Sequence, residues 1–344
     1  MTIIIFILIL GGIIFIHELG HFLFAKKFGI YVYEFSIGFG PKIYSFKRKN
    51  DETEYLIKLI PLGGYVAMAG EEDTSDDKVP DNMKLYNKPV WQRFLVMSAG
   101  VINNFILGFI LLFIIGLFYG STFTTNTLHD IPKDGSLYNL GVRDGSKIVK
   151  INDRKVNNYD DIQTSLALIN QKTKNNNINI TILDNNKEKT YNVSPKKAKD
   201  GNYYYGISIK IEQEKGLIAA LKYAKEKFVS IYKSMVLIIK SLFTGKLGVN
   251  SLSGPVGIYG VVDSVKNSLQ MILYLAAYLS INIGFMNFLP FPAFDGGRVV
   301  FLIIEKIKGS RVNPKVETYV NFAGFMILMG LMILVTIKDV INLF

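Results

Sequence analysis

The sequence of 344 residues contains no cysteine, one tryptophan and three histidines. The absence of cysteine excludes disulfide bonds and thiolate ligands, so any metal ion must be held by His, Asp, Glu or Asn side chains. Charge is also absent from residues 3–16, within an apolar run at the N-terminus. Hydrophobic residues make up 49% of the chain. Their concentration in such runs indicates a membrane protein with a modest soluble part.

The charge pattern argues against a nucleic-acid-binding protein, and the N-terminus argues against a cleaved signal peptide. The formal net charge is +11, which in a membrane protein is typical of loops beside anionic lipid. No basic–aromatic motif is present, so we expect the lipid bilayer as a partner and no nucleic acid. The N-terminal run has neither a basic flank before it nor a small-residue cleavage site after it. It therefore predicts a retained first span and not a cleaved signal peptide.

Four apolar stretches reach the roughly 20 residues that a helix needs to cross a bilayer. They are residues 2–24, 94–119, 269–289 and 318–337. Basic residues follow the first stretch, at Lys26 and Lys27, and the third, between Arg298 and Lys315. The positive-inside rule places both flanks in the cytoplasm, and both termini and segment 120–268 outside. The predicted fold is an α-helical polytopic membrane protein.

A β-hairpin is predicted at 36–70, between the first two spans. Glycine and proline punctuate both ends, and strand-like segments 43–46 and 55–60 flank a polar tip at 47–54. The hairpin either dips into the membrane or remains in the cytoplasm without a substrate role. With the two spans it makes an N-terminal membrane domain, 1–121.

A soluble α+β insert is predicted at 122–212. A Gly-bearing turn, an alternating strand at 147–152, a helix at 160–170 and two further strands follow the order of a circularly permuted PDZ domain. Such domains bind peptides by strand addition. His129 lies at the edge of the insert and has no partner at the spacing of metal ligands. We therefore expect it to be an ordinary surface histidine.

An amphipathic helix is predicted at 217–242, within a connector at 213–268. Its apolar residues recur at spacings of three and four, from Leu217 and Leu221 onward. This pattern predicts a helix on the membrane surface, which we favour, or one packed on a partner helix. A C-terminal membrane domain, 269–344, completes the chain.

The most specific motif is His17-Glu18-Leu19-Gly20-His21, inside the first span. On a helix, His17 and His21 share one face, so both imidazoles can bind one metal ion. Glu18 is rotated by about 100° and can reach water near that ion. This H-E-x-x-H arrangement is that of zinc peptidases. The other interpretation, two surface histidines beside a solvated glutamate, is disfavoured because residues 3–16 carry no charge.

Zinc requires a third protein ligand, and the best candidate is Asp295. A carboxylate after an apolar span costs about 2.5–3.5 kcal/mol at mid-bilayer unless it is paired or coordinated. Prolines 290 and 292 break the helix, and glycines 296 and 297 let backbone approach closely, so a built loop is predicted. The alternative is a plain interfacial turn in which Asp295 caps a helix. A site of two histidines and one aspartate favours zinc over other divalent metals.

Together these features resemble the site-2 protease family of intramembrane zinc metalloproteases (peptidase family M50), in its bacterial branch with one PDZ domain. The resemblance covers nearly the whole chain. It rests on the motifs His17–His21, Gly38–Pro41, Pro61–Val66, Trp91–Arg93 and Gly254–Ile258 and on the stretch Asn287–Gly297. One position departs from the family pattern, because Val101 stands where relatives usually have proline. Asn104 aligns with the family asparagine, so no ligand is lost.

The resemblance implies a zinc metalloendopeptidase, with a hairpin that holds an extended substrate strand near 55–66. The residues that it marks are the zinc ligands His17, His21 and Asp295, the general base Glu18, and the candidate substrate contacts Asn287, Gly63, Gly64 and Tyr65. The implied substrates are single-pass membrane proteins that another protease has trimmed, such as anti-sigma factors or remnant signal peptides. The implied location is the bacterial plasma membrane, with the PDZ-like insert outside the cytoplasm.

Two other classes fit parts of the pattern. A catalytically silent PDZ receptor would keep structural zinc, but the intact Glu18 and an open coordination position argue against it. A divalent-metal transporter would also place His and Asp in the membrane, but it would need more polar residues along spans two and four than the sequence has.

Overall fold

The computed structural model describes residues 1–71, 78–170, 177–184, 187–197, 203–245, 247–248 and 252–341. The chain divides into two compact units. One combines Met1–Leu112 with Ser253–Phe344, and the other is Phe113–Leu252.

The first unit begins with the motif helix and the hairpin. Helix α1 (Thr2–Lys27) is followed by strands β1 (Val32–Lys47) and β2 (Glu54–Met68) and by helix α2 (Val90–Tyr119). The two lysines in the last turn of α1 complement the negative end of the helix dipole. Apolar residues of all four elements form one buried cluster that includes Ala25, Phe35, Val66 and Val96. This cluster fixes the hairpin against the helix that carries the His-Glu motif.

The hairpin is bent and not a simple two-stranded ribbon. Its predicted tip is present between β1 and β2, but Ser36 pairs with both Tyr65 and Leu56. The first half of β1 therefore lies between two segments of β2, and segment 42–47 pairs with 54–58. Gly38 and Gly40 make the bend possible, with φ of 90° and 85°. The sequence pattern missed the bend because the strand-like segments, 43–46 and 55–60, cover only the parts of the two strands that lie next to the tip.

The second unit contains an α+β insert. Its elements are β3 (Ser121–Leu128), α3 (Ser136–Asn139), β4 (Lys147–Ile151), β5 (Arg154–Lys155), α4 (Tyr159–Asn170), β6 (Ile178–Asp184), β7 (Lys187–Val193), β8 (Lys196–Lys197), β9 (Tyr203–Tyr204) and β10 (Ile209–Glu214). A six-stranded sheet has the order β10-β3-β4-β6-β7, with β5 also paired to β4. Its core is rich in isoleucine, and Ile148, Ile151 and Ile180 are fully buried. β-Branched residues suit such a pleated, enclosed surface.

The amphipathic helix α5 (Leu217–Phe243) belongs to the same unit as the insert. It packs on α4, where Lys227 Nζ lies 2.7 Å from Asp160 Oδ2 and Ser234 Oγ lies 2.9 Å from Thr164 Oγ1. The sequence left two alternatives for this helix, the membrane surface or a partner helix. The structure shows it packed on a partner helix, α4. Leu217 and Leu221, expected on its apolar seam, remain exposed.

The first unit ends with four helices. They are α6 (Pro255–Val265), α7 (Leu269–Phe288), α8 (Asp295–Lys308) and α9 (Pro314–Ile341). Asp339 of α9 accepts hydrogen bonds from the backbone N–H of Gly254 and Gly257, at 2.7 and 2.9 Å, and so caps α6. Among the described residues, α1, α2, α7 and α9 are the helices long and apolar enough to cross a membrane. The predicted polytopic helical membrane fold is confirmed, and the helix ends differ from the predicted spans by a few residues.

Candidate active site

The two motif histidines lie side by side on α1 and face α2. His17 and His21 are 7% and 8% exposed. The helices approach closely there because both carry glycine at the contact. A Cβ on Gly20 would lie 2.5 Å from the carbonyl oxygen of Ala99, and one on Gly100 would lie 2.4 Å from His21 Nε2. Any larger residue at these positions would separate the helices or displace an imidazole.

Asp295 is brought to the histidines by the loop between α7 and α8, where it is the first residue of α8. Gly296 and Gly297 allow this loop to fold tightly. A Cβ on either would lie 2.3 Å from a loop carbonyl oxygen, that of Phe288 or Phe291. The predicted close backbone approach at this glycine pair is therefore present, and it places the Asp295 carboxylate at the start of α8, beside the histidines of α1.

Three potential ligand atoms converge. Asp295 Oδ2 lies 3.1 Å from His17 Nε2 and 3.4 Å from His21 Nε2, and the two Nε2 atoms are 3.2 Å apart. Tetrahedral zinc with bonds of about 2.0–2.1 Å has ligand atoms about 3.3 Å apart. Oδ2 is buried and has no hydrogen-bond partner among the described residues, despite these short separations. The three atoms therefore have the spacing of ligands around one metal ion, and the donor set fits zinc.

The far sides of both imidazoles contact α2. Nδ1 of His21 lies 2.8 Å from the carbonyl oxygen of Val96, to which it can donate its proton. That hydrogen bond leaves Nε2 with a free lone pair, as a metal ligand requires. The amide group of Asn104 lies 3.2 Å from Nδ1 of His17. Both histidines are thus supported from one neighbouring helix.

Glu18 lines a cavity of about 190 Å³ together with His17, His21 and Asp295. The opposite wall is the end of β2. A Cβ on Gly64 would lie 3.2 Å from Glu18 Cγ, so glycine there leaves room for the glutamate side chain. The cavity is large enough for several water molecules beside the carboxylate. This geometry suits a proton acceptor next to a metal site.

Of the predicted substrate contacts, Tyr65 lines this cavity, and Gly64 lies against the side chain of Glu18. The hydroxyl of Tyr65 donates to Glu34 and lies 2.5 Å from Lys58 Nζ. Burial and the hydrogen bond to Glu34 raise the pKa of Tyr65, so its phenol stays protonated. Gly63 is adjacent, with a φ of 149°, and faces the ring of Phe39.

Asn287 is the penultimate residue of α7 and is not among the described residues that line this cavity. Its role as a substrate contact stays a prediction.

Sequence reasoning missed two charged residues and one glycine at the site. Glu71 and Arg298 line the cavity and form an ion pair. The charge of Glu71 raises the pKa of the Arg298 guanidinium above its ordinary value, so the guanidinium stays charged beside the carboxylate. Arg298 could have been found from its spacing, because it follows Asp295 by three residues on α8 and shares its face. Gly100 gave no signal, since its role depends on the approach of α1.

His129 has carboxylate neighbours that the sequence did not indicate. It lies with Asp130 and Asp144 in an exposed group whose ligand atoms are within 4.8 Å of one another. Asp144 already accepts hydrogen bonds from the backbone N–H of Asp130 and Ile131, at 3.0 and 3.1 Å. These bonds, led by that from Ile131, hold the pKa of Asp144 below its usual range. The carboxylate therefore stabilises a turn of the insert.

The chain is similar to known proteins over its whole length. The family model described as Peptidase family M50 matches residues 5–331. "Regulator of sigma-W protease RasP" of Bacillus subtilis is 33% identical, over 100% of this chain and 99% of the relative. "Putative zinc metalloprotease CPE1693" of Clostridium perfringens is 37% identical, over 99% of both. "Putative zinc metalloprotease FN1322" of Fusobacterium nucleatum is 36% identical over the full length of both. The convergent His and Asp side chains thus occur in a membrane protein that belongs to peptidase family M50, the zinc metalloproteases.

Proposed function

We propose that His17, His21 and Asp295 hold the zinc ion and that Glu18 is the general base of an intramembrane endopeptidase. The observation that carries this proposal is the convergence of three ligand atoms at 3.1–3.4 Å from residues far apart in the chain. Three protein ligands leave a fourth position open, as catalytic zinc sites do. A structural site would close that position.

The chemistry divides between the metal and the chain. Bound zinc supplies Lewis acidity and brings the pKa of water towards about 7. Glu18 accepts the proton of the attacking water and later donates it to the leaving amine. The cavity beside Glu18 provides space for that water. Among the described residues, Glu71 is paired with Arg298, whereas Glu18 has no ion-pair partner.

The substrates are single-pass membrane proteins that are cut in or near their transmembrane segments. A substrate helix hides its peptide bonds, so it must unwind before cleavage. Segment 64–68 of β2 pairs with β1 along one edge only, among the described residues. Addition of the unwound substrate to the other edge would satisfy its backbone and pass it along Gly63, Gly64 and Tyr65. Asn287 contributes an amide contact to the substrate beyond the cavity wall.

The protein lies in a bacterial plasma membrane, with both termini and the insert outside the cytoplasm. The basic flanks after the first and third spans support this orientation. Outside the hairpin core, Ile43, Tyr44 and Leu59 are exposed, which suits a hairpin that dips into lipid. In this topology the PDZ-like insert acts on the outer part of a substrate. It binds a newly formed carboxyl terminus or excludes bulky ectodomains, so that another protease must trim the substrate first.

Anti-sigma factors and remnant signal peptides are the substrate classes that fit best. The name of the Bacillus subtilis relative, "Regulator of sigma-W protease RasP", supports the former. Both classes are single-pass and become short on the outer side after a first cleavage.

The test is cleavage of a single-pass substrate by the purified full-length chain in liposomes. We expect a trimmed substrate to be cut near its membrane segment, with activity lost on chelation and restored by zinc. A matched substrate that keeps a folded ectodomain should be cut at least about ten times more slowly, because the insert excludes it. Asp295→Ala should lose zinc and activity, whereas Asp130→Ala, at an exposed carboxylate of the insert, should keep both.

Two outcomes would count against parts of this proposal. Cleavage that survives chelation would contradict a zinc endopeptidase. Equal cleavage of the trimmed and the folded substrate would contradict the size filter but leave the zinc site intact.

The substrate edge can be tested by disulfide cross-linking, because the natural chain contains no cysteine. In a Glu18→Gln background, Tyr65→Cys should cross-link to a cysteine near the substrate's scissile bond. Tyr44→Cys, on the segment at the opposite edge of the hairpin, is the matched control and should cross-link at least about ten times less. Comparable yields at both positions would show that the substrate does not add at segment 64–68.

A further inference from the structure

Asn104 is a fully buried polar residue in the middle of a membrane-spanning helix. It is 0% exposed, and apart from Asn103 the residues within one turn of it on α2 are apolar or glycine. An amide in such a place is costly unless it makes specific contacts. Its side chain approaches Nδ1 of His17, at 3.2 Å, and its backbone oxygen accepts a hydrogen bond from Ser280 Oγ, at 2.8 Å. Among the described residues, the side chain of Asn104 makes one polar contact, that with His17.

The tautomer of His17 decides which end of this amide must face it. A neutral imidazole carries one proton, and a metal-ligating Nε2 cannot hold it. Nδ1 of His17 therefore carries the proton and needs an acceptor. With the amide nitrogen at this position, Nδ1 would have to accept, and the proton would move to Nε2, towards His21 and Asp295. In that tautomer Nε2 has no lone pair to offer the metal.

The amide oxygen supplies the acceptor that is needed. The two ends of an asparagine amide have the same shape, and the hydrogen-bond network decides which faces a neighbour. Oδ1 of Asn104 is buried and has no other hydrogen-bond partner among the described residues. Rotation of the amide by half a turn therefore brings Oδ1 to Nδ1 of His17 and leaves the backbone unchanged.

The same helix supports the other histidine in a matched way. His21 Nδ1 lies 2.8 Å from the backbone oxygen of Val96, which can only accept. The carbonyl group of Val96 is held in place by the backbone of α2, so it orients His21 without the help of a side chain. Among the described residues, the group that faces Nδ1 of His17 is instead a side chain, that of Asn104.

We infer that Asn104 is a positioning residue for the metal site: its Oδ1 accepts the Nδ1 proton of His17, which fixes the tautomer and the plane of the ring. The inference rests on the ligand role of His17 in the proposed function. Contacts of this kind orient ligating histidines, and their loss typically lowers metal affinity by about 10–100-fold. Asn104 would act on the metal through His17 and would not touch the substrate.

The experiment measures the zinc affinity of the full-length protein by competition with a chelator, together with the visible spectrum of the Co²⁺ form. Asn104→Leu removes the acceptor and should weaken zinc binding by about 10–100-fold and alter the Co²⁺ spectrum. Asn104→Asp keeps an acceptor and should bind zinc at least as tightly as wild type. Asn103→Leu is the matched control, since Asn103 donates to the Ile16 carbonyl at 3.1 Å and does not contact a ligand. It should leave the affinity and spectrum unchanged.

Wild-type zinc affinity in Asn104→Leu would overturn the inference. Zinc binding by Asn104→Asp that is as weak as that of Asn104→Leu would also overturn it, because the amide of Asn104 would then act as a donor. If Asn104→Leu does not fold, Asn104→Ala takes its place. A separate variant, His17→Ala, tests the proposed ligand set on which the inference rests. If His17 is not a ligand, His17→Ala will bind zinc with wild-type affinity, whatever residue occupies position 104.

Discussion

Replacing Glu18 with glutamine should abolish cleavage and leave the metal in place. Glutamine has the size of glutamate but cannot accept the proton of the attacking water. A general base contributes about 10²–10⁴-fold to a rate, so we expect kcat to fall by about that factor. The zinc content should stay at the wild-type level, because the three converging ligand atoms belong to His17, His21 and Asp295. The measurements are single-turnover cleavage of a trimmed substrate and metal analysis of the same preparation.

The control for this prediction is Glu71→Gln. Glu71 is the other glutamate that lines the cavity, but it is paired with Arg298. The carboxylate of Glu71 is already engaged by the guanidinium of Arg298, so it is not free to accept the proton of the attacking water. Glu71→Gln should therefore reduce cleavage much less than Glu18→Gln. The reverse order would transfer the role of base to Glu71, and loss of zinc from Glu18→Gln would mean that Glu18 supports the metal site itself.

The parts of the site that the sequence predicted are those with a local signal. His17, Glu18 and His21 lie within five residues, and helical periodicity alone places both imidazoles on one face. Asp295 could be found because prolines and glycines around it are out of place in a membrane helix. The four spans were predictable for the same reason, since length and polarity are local properties of the chain.

What the sequence did not predict depends on contacts between distant segments. Gly20 and Gly100 matter only because α1 and α2 approach closely, and neither glycine carries a signal of that approach. The bend of the hairpin needs Ser36 to pair with two segments of β2, which no strand pattern encodes. Asn287 is not among the described residues that line the cavity, so the contact of its amide with the substrate stays a prediction.

Gly100→Ala should destroy the metal site, although alanine normally favours a helix over glycine by about 1 kcal/mol. The added Cβ would lie 2.4 Å from His21 Nε2 and 2.7 Å from His17 Nε2, well inside contact distance. Because a catalytic constellation tolerates displacements of only about 0.5 Å, the ligand atoms could no longer converge. We expect zinc affinity to fall by at least about 100-fold and cleavage to be lost, while the circular dichroism of the helices is retained.

Gly12→Ala is the matched control for this substitution. Gly12 is a helical glycine of α1, and a Cβ there would have no heavy atom within 4 Å. Alanine at position 12 should therefore leave zinc binding and cleavage unchanged and raise the thermal stability slightly. Zinc binding by Gly100→Ala at wild-type affinity would show that α1 and α2 can separate without moving the ligands, and the close contact would then serve packing alone. Loss of zinc at both positions would point to a general effect of alanine on these membrane helices, so the difference between the two variants isolates what the backbone at Gly100 does for the imidazoles.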